Sequence, residues 1–92
     1  MACRYFLVTG RVQGVFYRAS TQEVANRMSL VGWVRNREDR SVELVACGEE
    51  VVLRQLEQWL WQGPKFAEVS GVQVSILDPE EVKGFTDFSI RY

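Results

Sequence analysis

The arrangement in this sequence best suited to chemistry is an arginine set close behind two glycines. In Gly10 to Arg18, GRVQGVFYR, a strand-like run enters Gly10 and Gly14, and the segment closes on Arg18 just ahead of a helix signal. Glycine opens backbone conformations closed to other residues and admits a ligand close to the chain, so consecutive amide N–H groups can converge on one oxyanion. A helix beginning directly afterwards adds unpaired N-terminal N–H groups and the positive end of its dipole. The Arg18 guanidinium supplies a fork of donors that matches a phosphate or a carboxylate. By spacing alone, the two glycines equally fit a turn that simply ends a strand.

Other reactive side chains are few. The chain has no histidine, and Cys3 and Cys47 lie outside the glycine segment, so no metal site of the usual His or Cys type is expected. Glu38 and Asp39 offer a pair of carboxylates for general acid–base work, but adjacent acids in a polar turn are ordinarily solvated. What remains is positioning and electrostatics, which is most of what phosphoryl transfer requires.

Two motifs carry a resemblance. Gly10-Arg11-Val12-Gln13-Gly14-Val15-Phe16-Tyr17-Arg18 resembles the phosphate-loop signature of the acylphosphatase family, G-x-V-Q-G-V-x-[FY]-R, at every fixed position. Gly32-Trp33-Val34-Arg35-Asn36 resembles that family's second signature, which continues N-x-x-x-G-x-V to a further glycine; Asn36, Val42 and Gly48 fit, and Arg40 stands where the family usually has glycine. The ending Phe88-Ser89-Ile90-Arg91-Tyr92 is also similar to the family's. The resemblance implies that Arg18 and the backbone N–H groups of Gln13, Gly14, Val15, Phe16, Tyr17 and Arg18 grip phosphate, and that the Asn36 amide holds the attacking water. A carboxylate leaving group needs no dedicated acid, and the substrate's phosphate oxygens can take the water's proton, so no cofactor is implied. By spacing alone, Asn36 would equally serve turn backbone groups. Gln13 and Tyr17 read as scaffolding by their side chains.

The elements that must hold these residues follow from periodicity. Residues 4–12 and 42–47 are rich in β-branched and aromatic types, and Trp33 to Arg37 reads as a short strand that forms a hairpin with the second run. Ser20 with Glu23 is a capping box, which predicts a helix from Ser20 with Val24, Met28 and Val31 on one stripe, stopped by Gly32. A second helix is expected over about 49–62, with Leu53, Leu56 and Leu60 inward and Gly63-Pro64 ending it. Trp59 and Trp61 point to different sides of that helix, so at least one must be partly exposed. Val69 to Leu77 and Phe85 to Ile90 read as two more strands. The sum is an α+β, ferredoxin-like βαββαβ sandwich: a mainly antiparallel sheet, two helices on one face and a short extra C-terminal strand.

That topology has a functional consequence. The first two strands run parallel with the third between them, so the ends leading to Arg18 and to Asn36 share one edge of the sheet. At the opposite edge, Cys3 starts the first strand and Cys47 ends its antiparallel neighbour, which makes a disulfide geometrically possible; reducing cytoplasmic conditions favour two free thiols.

Composition bounds the partners. Ninety-two residues make one domain, 1–92, able to bury about 60–65% of its unfolded surface. Residues 1–40 hold seven arginines against three acids, while residues 41–92 hold four bases against nine acids. The basic half contains both motifs, which suits a small anionic substrate, although folding can disperse such charge. No nucleic acid is expected, since the total charge is −1 and no aromatic RNA-binding consensus is present. No apolar run approaches the ~20 residues that span a bilayer, and no signal-peptide pattern opens the chain, so a cytoplasmic monomer is expected. The expected activity is hydrolysis of small acyl phosphates to a carboxylate and inorganic phosphate. The rivals are a non-catalytic anion-binding or regulatory module on the same fold, and a domain handling carbamoyl phosphate within a larger machine.

Overall fold

The computed structural model describes residues 1–82 and 84–92. Their elements in chain order are β1 (Ala2–Arg11), α1 (Tyr17–Arg27), β2 (Val31–Asn36), β3 (Val42–Gly48), α2 (Glu50–Gln62), β4 (Glu68–Leu77) and β5 (Phe88–Ile90). The strands form one sheet in the order β4-β1-β3-β2-β5. β1 is antiparallel to both β3 and β4, β2 is antiparallel to β3, and only β5 runs parallel, alongside β2. This is the expected ferredoxin-like α+β arrangement.

Alternation along the strands decides which face is covered. Phe6, Val8, Val34, Leu44 and Ala46 turn to one face, where Ala25 of α1 and Leu53, Leu56 and Leu60 of α2 close over them. Each such leucine or phenylalanine taken fully out of water is worth about 1.5–3 kcal/mol. The other face carries a smaller cluster of Cys3, Val45 and Cys47, with Tyr5, Val31, Trp33 and Phe85 packed against it. Register places Cys3 directly opposite Cys47 in the β1–β3 ladder, with Cα atoms 4.1 Å apart, and their sulfurs are bonded.

The start of α1 differs from the expectation. The helix begins at Tyr17 rather than Ser20, with Phe16 at its N-cap in the left-handed conformation (φ 64°). Ser20 lies inside the first turn, its N–H donating to the Phe16 carbonyl at 2.9 Å, and Glu23 pairs with Arg27 at 2.6 Å instead of reaching back. The capping-box pattern is overridden because Val15 and Tyr17 are drawn into the core three residues earlier, and their burial winds the chain there. The end differs as well. Ser29 takes the left-handed conformation (φ 60°), and the Ser29 and Leu30 N–H groups donate to Asn26 and Ala25, so the helix closes before Val31 and Gly32, which join β2.

Elsewhere the differences are small. α2 ends at Gly63 as expected; Trp59 packs against Tyr17 with ring centroids 5.7 Å apart, while Trp61 is 49% exposed. β5 covers only Phe88–Ile90, paired with Gly32 to Val34 of β2, and Phe85 instead packs on the open face.

Candidate active site

The loop between β1 and α1 is built by alternation of buried anchors and exposed groups. Val12, Val15 and Tyr17 are buried, whereas Gly14 and Phe16 are exposed and Arg18 is half-buried. Burial pushes the Tyr17 hydroxyl well above its ordinary value, so it stays protonated and donates to the Leu60 carbonyl at 2.7 Å. Gly14 has φ 75°, and a Cβ there would meet nothing within 4 Å, so its freedom serves the backbone turn and leaves the approach open. With the anchors holding the loop, the peptide groups between them turn outward. Among the described residues, no backbone N–H from Gly14 to Ala19 finds an acceptor in the chain. Six donors left free around one arginine are a cradle for an anion, reinforced by the start of α1.

Arg18 stands in that cradle without a carboxylate partner among the described residues; its guanidinium lies over the ring of Tyr92, 4.7 Å from the centroid. Of the other arginines in the basic half, Arg4, Arg27, Arg35 and Arg37 are tied to Glu50, Glu23, Glu43 and Asp39 respectively. Folding therefore neutralises much of that positive charge and leaves Arg18 available.

Asn36 ends β2 on the same edge. Its side chain lines one cleft of about 380 Å³ with Gly14, Phe16, Arg18 and Tyr92. The Asn36 Oδ1 atom is buried and has no hydrogen-bond partner. A buried acceptor without a donor costs about 1–3 kcal/mol, so an Asn held this way is poised for a donor that arrives with the ligand. The sheet topology brings Arg18 and Asn36 to one cleft, and the alternative in which Asn36 serves turn backbone is not what its Oδ1 does.

The supporting residues are divided between the two faces of β2. Gln13 leaves the loop sideways, its Nε2 donating to the carbonyls of Arg37 and Ser41 at 2.9 Å each. On the open face, Glu43 accepts from the Tyr5 hydroxyl at 2.6 Å and from Arg35 Nε, and lies 3.7 Å from Arg37. Burial alone would raise the Glu43 carboxyl, but the Tyr5 hydroxyl and the two guanidinium groups outweigh it and hold the group below the usual carboxylate range. Burial, with the Glu43 carboxylate beside it, raises the Tyr5 hydroxyl in turn. Glu38 and Asp39 are exposed in the β2–β3 turn; Asp39 accepts from the N–H and hydroxyl of Ser41, which lowers its carboxyl and commits it to the turn. Arg40 in that turn has φ 72°.

Ile90 and Tyr92 also line the cleft, and sequence reasoning gave them no part in it. The signal was the i, i+2, i+4 alternation of Phe88, Ile90 and Tyr92, which puts all three toward the helix-bearing face once β5 lies beside β2.

Among the described residues, no helix is long and apolar enough to cross a membrane. The acylphosphatase family model matches residues 4–90. An acylphosphatase from Pseudomonas aeruginosa is 48% identical over 83 residues, covering 90% of this chain and 91% of the relative. Among solved structures, an acylphosphatase from Coxiella burnetii superposes with a TM-score of 0.91 at 42% identity, covering 98% of this chain and 92% of its own. One from Bacillus subtilis gives 0.94 at 36% identity over the whole of both chains.

Proposed function

This chain belongs to the acylphosphatase family, and on that premise we propose that Arg18, Asn36 and the free N–H groups of the β1–α1 loop carry out its hydrolysis of acyl phosphates. The observation that carries the assignment is the orphaned Asn36 Oδ1 in the cleft of Arg18. Oδ1 accepts and does not donate, whereas a phosphate dianion offers only acceptors. A water molecule is the partner that this acceptor suits, and the phosphate suits the opposite set of groups, Arg18 and the loop donors.

The reaction then needs little more than placement. The loop N–H groups and the Arg18 fork meet the phosphate oxygens and the charge that spreads over them in the transition state. Asn36 turns the lone pair of water toward phosphorus, in line with the bond to be broken. A P–O bond forms to water as the P–O bond to the acyl group breaks; the carboxylate departs with that electron pair, and the proton of the water passes to a phosphate oxygen. No histidine, acid or thiol is required. The binding-only module lacks support, since it gives Asn36 no reason to keep an unsatisfied buried oxygen. We read residues 1–92 as one domain, working as a monomer on small acyl phosphates in the cytoplasm.

The test is phosphate release from benzoyl phosphate by wild type, Arg18→Lys and Asn36→Ala, with and without EDTA. Loss in both variants with EDTA-insensitive wild-type activity is expected. Full activity in either variant overturns the assignment of that residue, and activity lost to EDTA and restored by a divalent ion overturns the mechanism.

A further inference from the structure

We propose that Glu43 is a positioning residue for the hydrolysis: its carboxylate, on the face of the sheet opposite the cleft, grips both chain neighbours of Asn36 and so aims the Asn36 amide. The inference rests on the reading in which Asn36 orients the attacking water, and it names what holds that amide still.

Asn36 has little of its own to hold it. It forms the last pair of β2, opposite Val42, and the chain turns away directly afterwards. Its Oδ1 takes no hydrogen bond from the chain, so the aim of the amide depends on the backbone to either side. Alternate side chains of a strand point to opposite faces. Asn36 lines the cleft, and Arg35 and Arg37 therefore lie behind it.

On that far face one group meets both arginines. Glu43 Oε2 accepts from Arg35 Nε, and Glu43 Oε1 lies 3.7 Å from the Arg37 guanidinium. Register brings it there, since Glu43 stands directly opposite Arg35 in the β2–β3 ladder. The Glu43 side chain is 6% exposed, against 50% for Arg35 and 40% for Arg37. Ion pairs exposed at both ends hold long side chains weakly, because water and salt screen them. A carboxylate buried among its donors is a firmer anchor, since losing a partner leaves buried charge unpaired. The Tyr5 hydroxyl completes the set, donating to Oε1 at 2.6 Å from β1. β1 is also the strand that runs into the loop ahead of Arg18. One carboxylate thus ties the backbone around Asn36 to the strand that leads to the other half of the site.

The experiment is a double-mutant cycle on kcat with benzoyl phosphate, at a temperature where circular dichroism shows every variant folded. Glu43→Gln is expected to lower kcat by about 10-fold, with KM and inhibition by inorganic phosphate within about 2-fold of wild type. In an Asn36→Ala background the same substitution is expected to cost less than about 2-fold, whereas in an Arg18→Lys background the loss of about 10-fold returns. A role in stability alone would not single out Asn36. Unchanged kcat in Glu43→Gln, or an equal loss with and without Asn36, overturns the proposal and leaves the assignment of Asn36 standing; full activity in Asn36→Ala overturns both. Should Glu43→Gln not fold, Arg35→Gln repeats the test with the carboxylate in place. A loss of about 3-fold that vanishes in the Asn36→Ala background is then expected, and no loss, or one that persists there, overturns the proposal.

Discussion

The side chain of Gln13 bridges the β1–α1 loop to the Arg37 carbonyl at 2.9 Å, one residue beyond Asn36. The two halves of the site, which are far apart along the chain, are thereby fixed relative to each other by a neutral amide. The same Nε2 also reaches the Ser41 carbonyl, so the whole β2–β3 turn is tied to the loop. Positioning of this kind matters because misplacement of about 1 Å at a reacting centre can cost ~10²-fold in rate.

Arg18→Lys tests the phosphate grip. A point charge cannot reproduce two parallel N–H contacts, and the loss is expected at about 3 kcal/mol or more of transition-state stabilisation. Steady-state kinetics with benzoyl phosphate should show kcat/KM lower by at least ~10²-fold. Near-wild-type values would remove Arg18 from the site.

In the proposed mechanism Asn36→Ala removes a contact to water rather than one to phosphate. The variant is expected to lose kcat by at least ~10²-fold, while inhibition by inorganic phosphate stays within a few-fold of wild type. A joint collapse of kcat and phosphate affinity would make Asn36 a phosphate ligand or a structural residue instead.

Arg40 occupies a left-handed position, φ 72°, where glycine is at ease. Arg40→Gly is expected to raise stability by about 0.5–1 kcal/mol, read as a higher urea midpoint at unchanged kcat. An equal or lower midpoint would show that the turn carries no net strain at this residue.

Cys3 and Cys47 close a stretch 44 residues apart. In the chain-entropy account, that bond is worth about 4 kcal/mol. The melting temperature measured with reductant should therefore fall by 10 °C or more, at about 4–8 °C per kcal/mol for a domain of this size, with activity at 25 °C retained. Identical melting curves would show that the bond adds nothing to stability.

Glu43 gives the pH dependence a definite sign. Its carboxyl is held lower in the folded chain than in the unfolded one, so its contribution is complete above the unfolded value of about 4.3 and is lost as pH falls through the folded value. Glu43→Gln is expected to be destabilised relative to wild type at pH 7, with the gap closing below about pH 4. Urea midpoints followed from neutral pH down into acid below the unfolded value would expose a gap that is flat or that widens in acid, which contradicts the ion cluster.

Legibility from sequence followed the range of the interactions involved. That Arg18 and Asn36 meet in one cleft was readable because one topology, βαββαβ, forces the ends of β1 and β2 to one edge whatever the side-chain details. The beginning of α1 was not, because Ser20 and Glu23 are a local signal and the burial of Val15 and Tyr17 is a tertiary one. Tyr92 escaped for a related reason: the alternation of Phe88, Ile90 and Tyr92 points to the helix-bearing face only once β5 is known to lie beside β2, a partner more than fifty residues away. The Glu43 cluster depends on cross-strand register, Arg35 opposite Glu43, which composition does not disclose.

The buried anchors Val12, Val15 and Tyr17 give the proposed cradle a final property: it is set before any ligand arrives. A loop that is already ordered loses little conformational freedom on binding, so most of the contact energy survives as affinity. The same fixed donors greet inorganic phosphate as readily as they greet the phosphate end of a substrate. On the proposed mechanism the loop holds its product as well as its substrate, and a substitution that loosens Val15 is expected to speed product departure while it blunts the catalytic step.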